Sequence, residues 1–249
     1  MQRPLELFLR RLLLRNTLSQ ADIDALLSID APLSTIPARQ DLVVPDQHVD
    51  FACLVQAGLV GRSDWLANGE RRATAIYLPG DMCDLHSVAF PVAGWGITAL
   101  SECAIFRVPH AQLEELFHRR PAIGMAIWRD TVVDASILSK WVSMLGGSSA
   151  RQRFAHLLCE VGLRLETMDR GSRDRFDLAM TQDQLAELLG ITTVHLNRTF
   201  QQMREEGLIS GGRGRSNRFD AQIEVRDWTQ LAAVAEFDDS YLLLGRRDR

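Results

Sequence analysis

Lysine is almost missing from this chain: of 28 Lys and Arg residues in 249, only Lys140 is a lysine, and 32 Asp and Glu outnumber them. The resulting net charge of −4 excludes a general polycation, so any hold on nucleic acid must come from a local patch. Cysteine is scarce as well. Cys53, Cys83, Cys103 and Cys159 are widely spread, with no C-x-x-C pair and no Cys/His spacing of a metal site. That spacing argues against a disulfide framework, assigns no metal, and makes buried free thiols the expectation. No apolar run approaches the ~20 residues that cross a bilayer, and no membrane partner is expected. The first residues lack a long apolar core and a small-residue cleavage site, so no signal peptide is read and a cytoplasmic chain is expected. There is no internal repeat, no low-complexity segment, and no readable set of nucleophile, base and orienting group. An enzyme is therefore not expected.

What is present is the composition of a globular protein of one or two domains, 46% apolar and 24% charged. Its strongest pattern lies at residues 181–209. Thr181 has the chemistry of a helix N-cap, and Gln184 stands where a capping box needs it. Leu185, Leu188 and Leu189 form one apolar face, and Gly190 can adopt the left-handed C-cap. Thr192 then caps a second helix with Leu196, Phe200 and Met203 as its buried stripe, ended by Gly207. Two short helices joined by a tight glycine turn are a helix-turn-helix. The stripe leaves Thr193, Val194, His195, Asn197, Arg198 and Gln201 outside. An Arg in the second turn can bond guanine O6 and N7, while Thr and Val can touch a thymine methyl. Ser210 to Phe219 follows, rich in glycine, and its Arg213, Arg215 and Arg218 suit a β-hairpin wing lying on phosphates. The candidate DNA contacts are these residues together with the caps Thr181 and Thr192. A plain αα-hairpin with a solvated arginine loop is the bland alternative.

This stretch resembles the winged helix-turn-helix of the Crp/Fnr family of bacterial transcription regulators. Thr181, Leu185, Ala186, Gly190, Thr192, Arg198 and Gly207-Leu208-Ile209 carry the resemblance. Val194-His195-Leu196-Asn197-Arg198-Thr199 looks like one branch of the family. The branch that reads DNA through Arg-Glu-x-x-x-Arg is matched only at Arg198, with Thr193 and Val194 in its other two positions. The base-reading role of Arg198 is thus implied, and the operator sequence is not.

The rest of the chain fits the same resemblance. Residues 1–30 read as helices, with Leu5, Phe8, Leu9, Leu12 and Leu13 as one stripe, and with Ser19 capping a second piece that has Asp22 at its third position. Pro32 and Pro37 break this pattern. From Ile36 to Pro109 short apolar or alternating runs, with turn residues between them, predict a β-sandwich or barrel, and Asn68-Gly69 is a hairpin signal. Leu78-Pro-Gly-Asp81 resembles the turn that leads into the ligand pocket of cyclic-nucleotide-binding domains. The implied fold is α+β: an N-terminal β-barrel sensor (1–118), a dimerisation helix (119–146) and a C-terminal winged helix-turn-helix (147–249), with the hinge at Gly146-Gly-Ser-Ser149.

Met82, Cys83, Asp84, Leu85, His86, Ile97 and Thr98 occupy the places of an effector pocket. Cyclic AMP binders of the family present an Arg for the cyclic phosphate where this chain has Ile97, so cyclic AMP is not expected as effector. Family members with an iron–sulfur cluster carry cysteines near the N-terminus; none precedes Cys53, so that cluster is not expected either. Met82, Cys83 and His86 could ligate haem by chemistry, and Cys83 and His86 beside Asp84 could form a small metal or redox site. An empty pocket and an unidentified effector complete the alternatives.

Between Ala122 and Leu145 a long helix is expected. Ile123, Ile127, Leu138, Trp141 and Leu145 fall near a 3.5-residue repeat, interrupted by Thr131 and Asp134, and are the candidate dimerisation residues. Met125, Trp128, Val132 and Val142 lie on a second apolar face. A helix apolar on two sides must be covered on both: one side by its own domain and the other most simply by a twofold copy, the alternative being a helix buried within one larger domain. The implied partners are double-stranded DNA and a second copy of the chain, with RNA polymerase as a further candidate. The rival reading is a signal-binding module whose C-terminal domain docks a protein.

Overall fold

The structure, a computed structural model, describes residues 3–67, 71–211, 218–219 and 222–245. The Asn68-Gly69 turn lies outside them. The chain forms two compact units. The first comprises the described residues up to Arg71, then Ala75–Ile137 and the segment from Ser240; the second comprises Arg72–Thr74 and Leu138–Asp239. The division falls inside the long helix, between Ile137 and Leu138, short of the Gly146-Gly147 pair at its end.

In the first unit α1 (Glu6–Leu13) and α2 (Gln20–Leu27) precede seven strands. Ser19 caps α2 as its sequence suggests: its hydroxyl accepts the Asp22 N–H at 3.2 Å, and the Asp22 carboxylate reaches back to the Ser19 N–H. The strands are β1 (Leu33–Ile36), β2 (Asp41–Val43), β3 (Phe51–Ala57), β4 (Val60–Trp65), β5 (Arg71–Tyr77), β6 (Gly96–Ala99) and β7 (Cys103–Pro109). They make two sheets, ordered β1-β7-β3 and β2-β6-β4-β5. β1 went unread in the sequence because prolines bracket it. It is an edge strand, where flanking prolines cost no ladder bonds.

β3 does not alternate between buried and exposed; Ala52 to Gln56 are all buried, so both faces are covered. Ala52 and Leu54 join a core with Phe8 and Leu12 of α1, Phe106 and Val108 of β7, Leu113 of α3 (His110–Arg119), and Ile123 and Ile127 of α4 (Pro121–Gly147). Period two along a strand then turns Cys53 and Val55 to the opposite face. One edge of β3 pairs with β7 and the other is closed by residues 78–84. The Val55 N–H donates to Asp81 O at 2.9 Å, and the Gly80 and Cys83 N–H groups donate to Val55 O and Cys53 O at 2.8 and 3.0 Å. Gly80 has φ +98°, a conformation open to glycine, which lets the chain turn back onto the edge.

Asp81 is the pivot of that segment. Its Oδ2 accepts the Leu78 N–H at 2.7 Å and its Oδ1 accepts from Arg11 Nη1 at 2.6 Å. Arg11 Nε also donates to Asp130 Oδ1 of α4 at 2.7 Å. Arg15, one turn on, donates to Leu242 O at 3.0 and 2.6 Å, so the C-terminal segment returns to α1.

α4 has two apolar faces, and the structure assigns them differently from the sequence. Ile123 and Ile127 are 0% and 4% exposed in the first unit's core, and Trp141 is 8% exposed in the second unit. Those three expected dimerisation residues are inward, because the repeat that includes them faces the chain's own core. Leu138 is half-buried, and Leu145 is exposed. The uncovered face is the other one: Met125, Trp128, Val132 and Val142 are 44%, 64%, 45% and 72% exposed.

The Arg11 network predicts a contrast. Arg11→Ala leaves two buried carboxylates with less countercharge and should cost about 3–5 kcal/mol. Arg119→Ala removes an ion pair whose side chains are 76% and 58% exposed, and should change stability by less than about 1 kcal/mol. Urea unfolding midpoints of the two variants compare them; equal losses would contradict the assignment.

Candidate nucleic-acid interface

The second unit is built on α5 (Ala150–Thr167), whose buried residues include Phe154, Leu157, Leu158 and Val161. Around it lie β8 (Arg175–Phe176), β9 (Met180–Thr181), α6 (Gln182–Leu189), α7 (Thr193–Glu205), β10 (Ile209–Gly211), β11 (Arg218–Phe219), β12 (Ile223–Val225) and α8 (Trp228–Ala235). β10, β12 and β8 form one small sheet in that order, and β11 pairs with β9.

The helix-turn-helix takes the local form its sequence dictates. Thr181 Oγ1 accepts the Gln184 N–H at 3.1 Å, and Gln184 Oε1 accepts the Thr181 N–H at 2.7 Å, closing a capping box. Gly190 ends α6 at φ +64°, ψ 38°, the left-handed cap that a Cβ would disfavour. Thr192 Oγ1 then accepts the His195 N–H at 3.2 Å and starts α7. Both hydroxyls are spent on caps, so they position the helices rather than project from them. Leu196, Phe200 and Met203 are buried, as their spacing requires.

On the opposite face of α7, Val194, His195, Arg198 and Gln201 are exposed, and Asn197 and Thr193 are half-buried. Thr193 Oγ1 donates to Asp183 Oδ1 at 2.9 Å, tying the start of α7 to the first turn of α6. Gln201 Nε2 donates to Glu205 Oε1 at 3.1 Å along the helix. Six candidate contacts thus share one face, with the Arg198 guanidinium as its cation. Arg213 and Arg215 lie outside the described residues. Arg218 is in β11, its backbone registered against Thr181.

The same unit contains a buried polar group on α5. Glu160 Oε1 accepts from Arg164 Nη1 at 2.9 Å and Oε2 from Trp141 Nε1 at 3.1 Å, with His156 Nε2 3.9 Å away. The His156 ring is 0% exposed and packs edge-on against Trp141 and Phe237, with centroids at 5.6 and 5.1 Å. Burial, joined by the charge of Lys140, lowers its pKa to about 4.

In the first unit the seven candidate pocket residues divide. Met82 and Leu85 belong to the core with α1 and α4, and Ile97 is fully buried in β6. Thr98 bonds Arg71 and Asp41, and Arg71 Nη2 also meets Asp41 Oδ1 at 2.9 Å. The sequence reading found no cation beside Ile97 and so missed Arg71, which β5 and β6 bring to Thr98 from opposite sides of β4. Its charge is already countered by Asp41. His86 packs at a tilt against Trp95 with centroids 4.3 Å apart, and burial lowers its pKa to about 4. Cys83 and Asp84 lie together with Cys53, a residue that no local spacing linked to them.

A family model described as a Crp-like helix-turn-helix domain matches residues 152–234. The chain is similar to the transcriptional activator protein FnrL of Cereibacter sphaeroides, 25% identical over 179 residues that cover 70% of each chain. It is also similar to the nitrogen fixation regulation protein FixK of Azorhizobium caulinodans, 27% identical over 173 residues and 66% of each chain. Among solved structures, FixK2 from Bradyrhizobium japonicum superposes with a TM-score of 0.73 at 21% identity, covering 83% of this chain and 98% of that one.

The buried His156 sets a pH dependence. Its folded pKa of about 4 lies below the ordinary 6.5, so the unfolded chain takes up a proton that the fold resists. Its contribution is therefore intact above pH 6.5 and is lost as pH falls toward 4, by on the order of 3 kcal/mol. Urea unfolding across that range should show a steeper loss for wild type than for His156→Gln; parallel profiles would rule out this role.

Proposed function

Because this chain belongs to the Crp/Fnr family of transcription regulators, we propose that it binds an inverted-repeat operator as a homodimer through the outer face of α7. One observation carries the reading. α7 buries Leu196, Phe200 and Met203 while presenting Val194, His195, Arg198 and Gln201 to solvent. A helix started by the Thr192 cap after a glycine turn, with an arginine in its second turn and the paired strands β10 and β12 after it, is the geometry of major-groove reading. In this proposal Arg198 reads a base, Val194 meets a thymine methyl, and Arg213, Arg215 and Arg218 touch phosphates. No catalytic step is part of it. FnrL is named as a transcriptional activator, so contact with RNA polymerase enters the proposal on that likeness.

The second copy is placed on the uncovered face of α4. Met125, Trp128, Val132 and Val142 are joined by the small residues Ala135 and Ser139 in a 3-4 repeat, all exposed. Such a repeat winds two helices about each other. Cyclic AMP is not part of the proposal: Ile97 offers no charge, and the guanidinium of Arg71 is engaged by Asp41.

Two measurements test these assignments. Trp128→Glu with Val142→Glu puts carboxylates in the seam and should turn a micromolar dimer into a monomer on sedimentation, whereas a monomeric wild type would defeat the dimer. Arg198→Ala should cost about 1–3 kcal/mol on the specific duplex and relax preference at one symmetric position. Arg215→Ala should instead weaken all duplexes alike and flatten the salt dependence. An unchanged ratio of specific to scrambled affinity in Arg198→Ala would sink the recognition-helix assignment.

A further inference from the structure

Three donor side chains meet where residues 78–84 close the edge of β3. Cys53 stands in the strand; Cys83 and Asp84 stand at the end of the segment. One sulfur or carboxylate oxygen from each lies within 4.8 Å of the others. All are buried, with Cys53 0%, Cys83 2% and Asp84 2% exposed. Backbone bonds on both sides of Cys53 fix the arrangement: its N–H donates to Asp84 Oδ1 at 2.6 Å, and its carbonyl accepts the Cys83 N–H at 3.0 Å. Cys83 Sγ lies 3.3 Å from the same carbonyl.

Asp84 Oδ2 is buried without a hydrogen-bond partner. Among the described residues no Arg, Lys or His forms an ion pair with Asp84. A carboxylate oxygen held out of water without a hydrogen-bond donor or an ion-pair partner is costly, and a bound cation would offset that cost. The groups beside it are two thiols, which become ligands when they give up their protons.

We propose that Cys53, Cys83 and Asp84 form a binding site for a thiophilic divalent cation of the Zn²⁺ class. Two thiolates and a carboxylate suit Zn²⁺, whereas Ca²⁺ and Mg²⁺ take all-oxygen shells. Sulfurs on one tetrahedral Zn²⁺, each at ~2.3 Å, stand roughly 3.8 Å apart, inside the observed spread. Binding replaces the two thiol protons, which leave to solvent, and transfers no electron. Three protein ligands leave the fourth position to water or a small ligand. The site lies wholly within the first unit and stands whether or not α7 reads DNA.

The test uses the full chain, stripped with a chelator and titrated with Co²⁺. The expected result is a thiolate-to-cobalt charge-transfer band that saturates near one equivalent and is displaced by Zn²⁺. Asp84→Asn should weaken Co²⁺ at least about tenfold. Cys83→Ser should remove most of the band, and Cys159→Ser should leave it intact. Should the Cys83 variant fail to fold, X-ray absorption at the zinc edge of the wild-type complex supplies the count, with about two sulfur neighbours expected at ~2.3 Å. A missing cobalt–thiolate band, a band that survives Cys83→Ser, or a zinc edge with only nitrogen and oxygen neighbours would overturn the proposal. So would a wild-type chain that takes no metal and forms a Cys53–Cys83 disulfide with mild peroxide.

Discussion

The first unit depends on closing the free edge of β3. This strand is buried on both faces, so the unpaired peptide groups along its outer edge have no water to turn to. Residues 78–84 supply the partners, backbone to backbone at Val55 and Cys53 and carboxylate to backbone at Asp84. The closing segment must itself be anchored, and Asp81 does this by bonding its own turn and the Arg11 guanidinium together. Arg11 passes the constraint to Asp130, so one buried guanidinium ties the first helix, the β3 edge and the long helix. Two buried arginines facing two buried aspartates add less to net stability than to uniqueness of arrangement, since desolvation offsets much of their attraction.

In the second unit the constraint is local. Capping bonds at Thr181 and Thr192 and the left-handed turn at Gly190 fix the two helices within a few residues of chain. With Leu196, Phe200 and Met203 buried and Thr193 tied to Asp183, α7 is seated without its most exposed side chains. Exposure of Arg198 and Val194 is the consequence, and it frees them for a partner. On α5 the Glu160 carboxylate is satisfied by Arg164 and Trp141, while His156 stays neutral against aromatic rings.

The long helix illustrates how amphipathicity can be double. Its inward stripe of Ile123, Ala126, Ile127, Val133, Ile137, Trp141 and Met144 is buried within the chain. Its outward stripe keeps Trp128 and Val142 more than half exposed. Large exposed side chains recurring at 3-4 spacing along a helix are rarely left to water, and this repeat is what supports a second copy as the occupant.

Caps, turns and strand alternation were legible in the sequence because each is decided within a few residues. Ser19 with Asp22, Thr181 with Gln184, and Gly190 between two apolar stripes have the same partners wherever the chain goes, so the helix-turn-helix and its outer face could be read directly. Tertiary structure alone decided which apolar face of the long helix is covered. Ile123 and Met125 are equally apolar, and only the neighbouring β-unit distinguishes them. It also decided the meetings of Arg71 with Thr98 and of Cys53 with Cys83 and Asp84. Those residues are brought together by strand register and by the edge closure of β3, not by spacing along the chain. Local hydrogen bonds are written in short stretches of sequence, whereas burial and side-chain convergence depend on what another part of the chain places opposite.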